Sequence, residues 1–319
     1  MIQLSNQLFY IIALLAMDNK TVLNDIYNNP IRFLVESNLM KKFESLKGTI
    51  KDAIFYTLCL DEQFKSIRPT LDYNKRMRPY LIRLSSSAAW LEQDSIFWDL
   101  ATVAELIHQS TLPADDIQVK SEIRCWRQAL WKKFWYETAI NAILLLAASG
   151  SLHYAKTLAN DKNWKLHNYY DFFQENLNNL VNWQDLDLSA NDGKRSISDY
   201  FKIVDWKTWT LINLALHFWT MPYKYLYSKE KSEALTKFSM WFARLYQIMD
   251  DIKDVKDGKN LDSSNVFHYV NWMYKELNNL YKKLRDDLIQ SHNIMKNLWI
   301  IKDDRILNVI RVLIPKSFV

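Results

Sequence analysis

Glycine is nearly missing from this sequence: four glycines and six prolines serve 319 residues. Average usage is about 7% glycine and about 5% proline. Tight hairpins need glycine at left-handed turn positions, and phosphate-cradling loops need it where backbone approaches a ligand. A chain so poor in turn formers cannot supply the reversals of a sheet protein or a doubly wound α/β fold. Walker and dinucleotide-binding fingerprints are excluded with them, since both are written in glycines. What remains is an all-α fold of long helices and short connections. Hydrophobic residues make up 49% of the chain, ample for a large core.

The formal net charge is +5, from 41 basic and 36 acidic residues that are interspersed. No arginine-rich run marks a nucleic-acid binder. Mild basicity suits an anionic small substrate or an anionic membrane surface and does not choose between them. Cys59 and Cys125 lie far apart without metal-ligand spacing, so reduced thiols and a cytoplasmic setting are expected. The apolar run at residues 9–17 is too short to span a bilayer and has neither a basic flank nor a cleavage site. It reads as a helix packing on the core, compatible with peripheral membrane contact, and no transmembrane segment is expected.

Breaks at Asn29-Pro30 and Arg68-Pro69 divide residues 1–70 into short helices. A basic turn follows, Asn74-Lys75-Arg76-Met77-Arg78-Pro79, and a helix is expected after it. Lys75 and Arg78 either converge on one anion or form an ordinary surface turn. Residues 96–114 have helical periodicity, with His108 and Asp115 two turns apart on one face. Pro113 should kink this helix or reset its start. Residues 139–148 (AINAILLLAA) are apolar on every side, which predicts burial in the middle of a bundle. The run is too short for a membrane span, and Ser149-Gly150-Ser151 would relax or end it. Ser198 suits the N-cap of a later helix, which carries Lys207 between tryptophans. A lysine there either meets an anion or snorkels to water. Amphipathic helices over 265–293 and 294–314 close the chain.

The chemistry concentrates in residues 244–260. Asp250 and Asp254 share a helix face, with Asp251 beside them. Such carboxylates form either a solvated acidic helix end or a site for a hard divalent cation such as Mg²⁺. Asp115-Asp116 is a second acidic pair, and Lys120, Arg124 and Arg127 follow it.

Taken in order, these segments resemble the trans-isoprenyl diphosphate synthases, the all-α class I prenyltransferases. The resemblance covers residues 70–270. Asn74-Lys75-Arg76-Met77-Arg78-Pro79 is similar to the family's Gly-Lys-x-x-Arg-Pro. His108 before Asp115-Asp116 is similar to its first aspartate-rich motif. Gln184 and Asp187 match its Gly-Gln-x-x-Asp-Leu, with Trp183 in place of glycine. Lys207-Thr208 follows, and Gln247 precedes Asp250-Asp251-x-x-Asp254, the second aspartate-rich motif.

The resemblance implies a single domain over 1–319: N-terminal helices in 1–70, a catalytic core in 71–270 and C-terminal helices in 271–319. Ten or more helices would surround a central cavity, with the two acidic motifs facing each other at its mouth. Up to three Mg²⁺ ions would be held by Asp115, Asp116, Asp187, Asp250, Asp251 and Asp254. Lys207, Arg124, Gln247 and Thr208 would hold an allylic diphosphate. Lys75, Arg78 and His108 would hold isopentenyl diphosphate, and Lys259 loosely matches a further family lysine. Asp115, Asp116, Lys207, Asp250 and Asp251 would carry the ionisation. A homodimer is implied as well.

Two departures bear on the reaction. Val119 stands where the first motif ends in aspartate, which puts one or two Mg²⁺ sites in question. Cys125 stands where a second arginine follows Arg124, with Trp126 in place of glycine. Ser110 and Thr111 are small, as in the family's longer-chain enzymes. Three readings follow: condensation of an allylic diphosphate with isopentenyl diphosphate, a terpene synthase or atypical prenyltransferase on the same fold, or a non-catalytic regulatory subunit.

Overall fold

The structure, a computed structural model, describes residues 30–61, 76–88, 95–124, 127–160, 170–189, 196–218, 220, 228–256, 265–270, 274–304 and 306–307. Side chains at 87–88, 183–189, 206, 256 and 274 lie outside that description. So do the apolar run at 9–17, the Arg68-Pro69 break and the 191–195 loop. The described chain is all-α, with one two-stranded ribbon, and it groups into two compact units.

The first unit takes in Ile26–Arg83 and Gln93–Tyr170. Its helices are α1 (Pro30–Phe43), α2 (Gly48–Thr57), the start of α3 (Met77–Ala88), α4 (Ser95–Gln118), α5 (Leu130–Phe134) and α6 (Tyr136–Asn160). Pro30 opens α1 and Pro79 lies in the first turn of α3, positions where the missing N–H costs no hydrogen bond. Thus α3 starts at Met77, before Pro79 and not after it. Pro113 does not reset α4, which runs unbroken over 24 residues.

Helices α4 and α6 form the main packing of this unit. Here the sequence expectation is corrected twice. The apolar decamer is the interior of a 25-residue helix that continues through Ser149-Gly150-Ser151. Gly150 does not break it, because its bare backbone lets α4 approach: a Cβ there would lie 2.7 Å from Ile107 Cδ1. Nor is α6 buried on every side. Ala139, Ala142, Leu146, Gly150 and Tyr154 face inward, while Leu144 (62% exposed), Ile140 and Leu152 face outward. By length and composition α6 could also cross a bilayer, a test that core helices pass too, and its inner face packs on α4. Trp135, between α5 and α6, has a left-handed φ of 69° and is 77% exposed.

The second unit takes in Leu84–Glu92 and Asp171–Val319. It contains α7 (Tyr170–Ser189), α8 (Ile197–Val204), a π-helical turn (Asp205–Trp209), α9 (Thr210–Phe218), α10 (Lys229–Lys256), a 3₁₀ turn (Val266–His268) and α11 (Tyr274–Asn297). Every residue of α9 is buried, so it forms the centre of the unit. The cap of α8 is Ser196 and not Ser198. Ser196 Oγ accepts from the Asp199 N–H and the Asp199 carboxylate accepts from the Ser196 N–H, a reciprocal capping box. At the C-terminal side, 265–270 is a short turn, and α11 passes through Asn293 where a boundary was expected.

Candidate active site

In the first unit the site is built at the C-terminal end of α4. Lys120 takes the left-handed conformation (φ 55°) and closes the helix. Its N–H bonds to the Ile117 carbonyl and the Ser121 N–H to the Asp116 carbonyl, the two bonds of a Schellman turn. That turn sends the chain back as a ribbon, β1 (Ile123–Arg124) paired with β2 (Arg127–Gln128). Arg124 is thereby returned to the acids: Nε donates at 2.8 Å to both oxygens of Asp116, and Nη2 at 3.0 Å to Asp115. A helix C-terminus carries partial negative charge, so two carboxylates there require a cation nearby. Asp116 is buried beneath Arg124, whereas Asp115 is partly exposed. Val119 is exposed and brings no charge.

Two turns earlier, Arg78 Nη1 lies 2.8 Å from His108 Nε2. Arginine only donates, so Nε2 accepts and the ring proton sits on Nδ1. Burial first, then the charges of Arg78, Arg124 and Arg76, holds the His108 pKa well below its ordinary value, so the ring is neutral. Arg78 and His108 therefore meet; Lys75, which the resemblance groups with them, lies outside the described residues.

Sequence reading missed the group that fixes this arrangement. Arg76, at a left-handed φ of 51°, is buried. It donates to Glu105 Oε1 at 2.5 Å, to the Leu58 carbonyl at 2.6 Å and to Glu36 at 3.4 Å. The signal was Glu105, a carboxylate between Ala104 and Leu106 in an apolar stretch, which needs a cation.

In the second unit the site is built along α10. Asp250 is exposed, Asp254 half-buried and Asp251 buried. Asp251 Oδ2 accepts from the Tyr200 hydroxyl at 2.9 Å and the Val266 N–H at 2.8 Å, and Oδ1 from Gln247 Nε2 at 2.8 Å. Burial and then the Asp251 charge push the Tyr200 phenol well above its ordinary pKa. Gln247 Oε1 in turn accepts from Thr208 Oγ1 at 2.7 Å. Gln247 and Thr208, expected to hold diphosphate, are thus engaged with each other and with Asp251. Lys207 is half-buried in the π turn. Side chains of Gln184 and Asp187, and all of Lys259, Cys125 and Trp126, lie outside the described residues.

A family model for polyprenyl synthetases matches residues 65–263, well over half of the chain. The chain belongs to the polyprenyl synthetase family. Over 172 residues it is 28% identical to the sesterfisherol synthase of Neosartorya fischeri, a match covering 53% of this chain and 21% of that one. It therefore spans about a fifth of that relative's length. Its fold is similar to a geranyltransferase from Legionella pneumophila (17% identity, TM-score 0.68, covering 92% of this chain and 94% of that one). It is also similar to a geranylgeranyl pyrophosphate synthetase from Geoglobus acetivorans (16% identity, TM-score 0.67, covering 92% and 98%). At such identities these two likenesses establish the isoprenoid synthase fold of this polyprenyl synthetase family member.

The donor chemistry fits the divalent cation that the family implies. Asp115, Asp250 and Asp254 are carboxylates with accessible surface, set in the last turns of long helices where negative charge is least stable alone. Among the described residues no three His, Cys, Asp or Glu side chains form a ready metal cage. Mg²⁺ does not require one, because it keeps waters and takes phosphate oxygens from substrate.

Proposed function

We propose that this polyprenyl synthetase family member is a Mg²⁺-dependent prenyltransferase that joins an allylic diphosphate to isopentenyl diphosphate. The observation that carries the reading is the Arg78–His108 pair, a cation and a neutral N–H donor held together at 2.8 Å one helix face from the acidic end of α4. Such a pair suits a second diphosphate beside the one that ionises. The family match at 65–263 covers the segments that carry both acidic motifs, which supports the reading.

In the reaction the allylic C–O bond breaks and its electron pair leaves with pyrophosphate. The isopentenyl double bond attacks the allylic carbon, a C–C bond forms, and the proton lost from the adjacent carbon passes to pyrophosphate. Asp115, Asp250 and Asp254 would hold Mg²⁺, which neutralises charge developing on the leaving oxygen. Lys207 and Arg124 would bind the departing diphosphate, Arg124 exchanging its carboxylate partners for phosphate oxygens of the same bidentate geometry. Arg78, His108 and Lys75 would orient isopentenyl diphosphate. Cytoplasmic placement and a homodimer complete the proposal; the exposed α6 face, with Tyr136, Ile140, Leu144 and Leu152 at helical spacing, supports the dimer.

A second reading, terpene synthase, is favoured by Val119 and by the likeness to a sesterfisherol synthase. Purified protein with Mg²⁺ and each of dimethylallyl, geranyl, farnesyl and geranylgeranyl diphosphate, with and without isopentenyl diphosphate, separates the two. Longer diphosphates that form only with isopentenyl diphosphate are expected. Hydrocarbons or alcohols formed without it would establish the second reading, and no turnover in any mixture would overturn both. Asp250→Ala should lower kcat about a thousandfold or more under either; substantial turnover in that variant would refute the placement of the metal.

A further inference from the structure

Asp251 starts a chain of hydrogen bonds whose direction is dictated from one end. A carboxylate only accepts, so Tyr200 Oη, the Val266 N–H and Gln247 Nε2 must all donate to it. Gln247 has then committed its NH₂ group, and its Oε1 faces Thr208, which must donate in turn. The polarity of Gln247 and Thr208 is thus set by a buried charge two bonds away.

Thr208 belongs to the π turn, and that turn is bound to α10 at further points. Arg244 pairs with Asp205 at its start, and Trp209 Nε1 donates to Ser239 Oγ at 2.7 Å at its end. π-Helical hydrogen bonding is rarely kept by the backbone alone and occurs as single turns, often at functional sites. Lys207 stands between Asp205 and Thr208, inside the tethered stretch.

We propose that Asp251 is a positioning residue: through Gln247 and Thr208 it holds the π turn, and so Lys207, in place for an anionic diphosphate. The proposal rests on the assignment of Lys207 made above and gives Asp251 a part different from that of Asp250 and Asp254. Removing a negative charge close to an anion site should strengthen anion binding. Removing a positioning residue should weaken it. The two roles differ in sign.

Asp251→Asn keeps the shape but offers one acceptor atom where two are used, so a donor must face Gln247 or Val266 N–H. Inorganic pyrophosphate is titrated calorimetrically, without divalent metal, into the full chain and into the Asp251→Asn, Lys207→Met and double variants. Amide hydrogen exchange is followed at residues 205–209. Asp251→Asn is expected to weaken pyrophosphate binding by about tenfold, the effect of leaving one buried polar group unpaired. It should add nothing in the Lys207→Met background, and it should speed exchange at 205–209 by about tenfold or more. Tighter pyrophosphate binding, or unchanged exchange at 205–209, would overturn the proposal. Thr208→Val, which removes only the last bond, should give the same pattern more weakly and serves if Asp251→Asn does not fold. Should Lys207→Met bind pyrophosphate like the parent, the assignment of Lys207 fails, and the exchange at 205–209 then decides separately whether Asp251 orders the turn.

Discussion

Glu105 lies on α4 among Val103, Ala104, Leu106 and Ile107, all buried, and its carboxylate is tolerated there because Arg76 reaches it. Arg76 also bonds Glu36, which Arg32 bonds in turn at 3.3 Å, so two acids and two arginines share a dry interior. Breaking such a group leaves an uncompensated charge, whereas replacing it whole can be nearly neutral. Glu105→Ala should therefore lower unfolding free energy by about 3–5 kcal/mol, read from urea midpoints, while an Arg32/Glu36/Arg76/Glu105 replacement by apolar residues of similar volume should lose much less. A loss below 1 kcal/mol in Glu105→Ala would mean that Arg76 is compensated elsewhere. The acidic motifs carry a related lesson. Sequence placed Asp250 and Asp251 side by side as equals, and likewise Asp115 and Asp116. In each pair the structure turns the second residue inward to partners of its own chain. Helical spacing gives the face of Asp250 and Asp254, but whether a neighbouring carboxylate meets Tyr200 or solvent depends on residues 51 positions away.

Helices were legible because periodicity and scarce glycine both point to them; their limits were not. Pro113 and Gly150 look like breakers in a linear reading, yet α4 and α6 pass through them. Local propensity is overridden where packing rewards continuity, and Gly150 is kept as the place where α4 comes closest. The same reading made residues 139–148 of α6 apolar on every side and hence central, since composition cannot distinguish a core face from an exposed one. Leu144 is on the outer face. If that face joins two copies, Leu144→Glu should convert the dimer to monomer in sedimentation velocity while leaving the helical circular dichroism unchanged. A monomeric parent protein would rule out the α6 interface.

For the molecule as a whole, acid should act through its buried imidazoles before the ordinary carboxylates respond. Burial holds His217 at about 4, and His108 well below its usual value. Unfolded, both return to about 6.5. Between those limits the unfolded chain binds more protons than the native one, so stability is complete above about pH 6.5 and declines as pH falls toward 4. Urea midpoints should thus drop between pH 7.5 and pH 5, and His217→Gln should flatten that slope. A midpoint that is flat over this range in the parent would show that neither ring stays neutral in the native state.

Trp135 sits at the corner between α5 and α6 in a backbone conformation that favours glycine. A bulky aromatic residue there holds about 1–3 kcal/mol of strain, and its ring gains little from the protein it belongs to. Trp135→Gly should consequently raise the melting temperature; if the α6 face joins two copies, the same substitution should weaken that association in sedimentation velocity, two assays moving in opposite directions from one change.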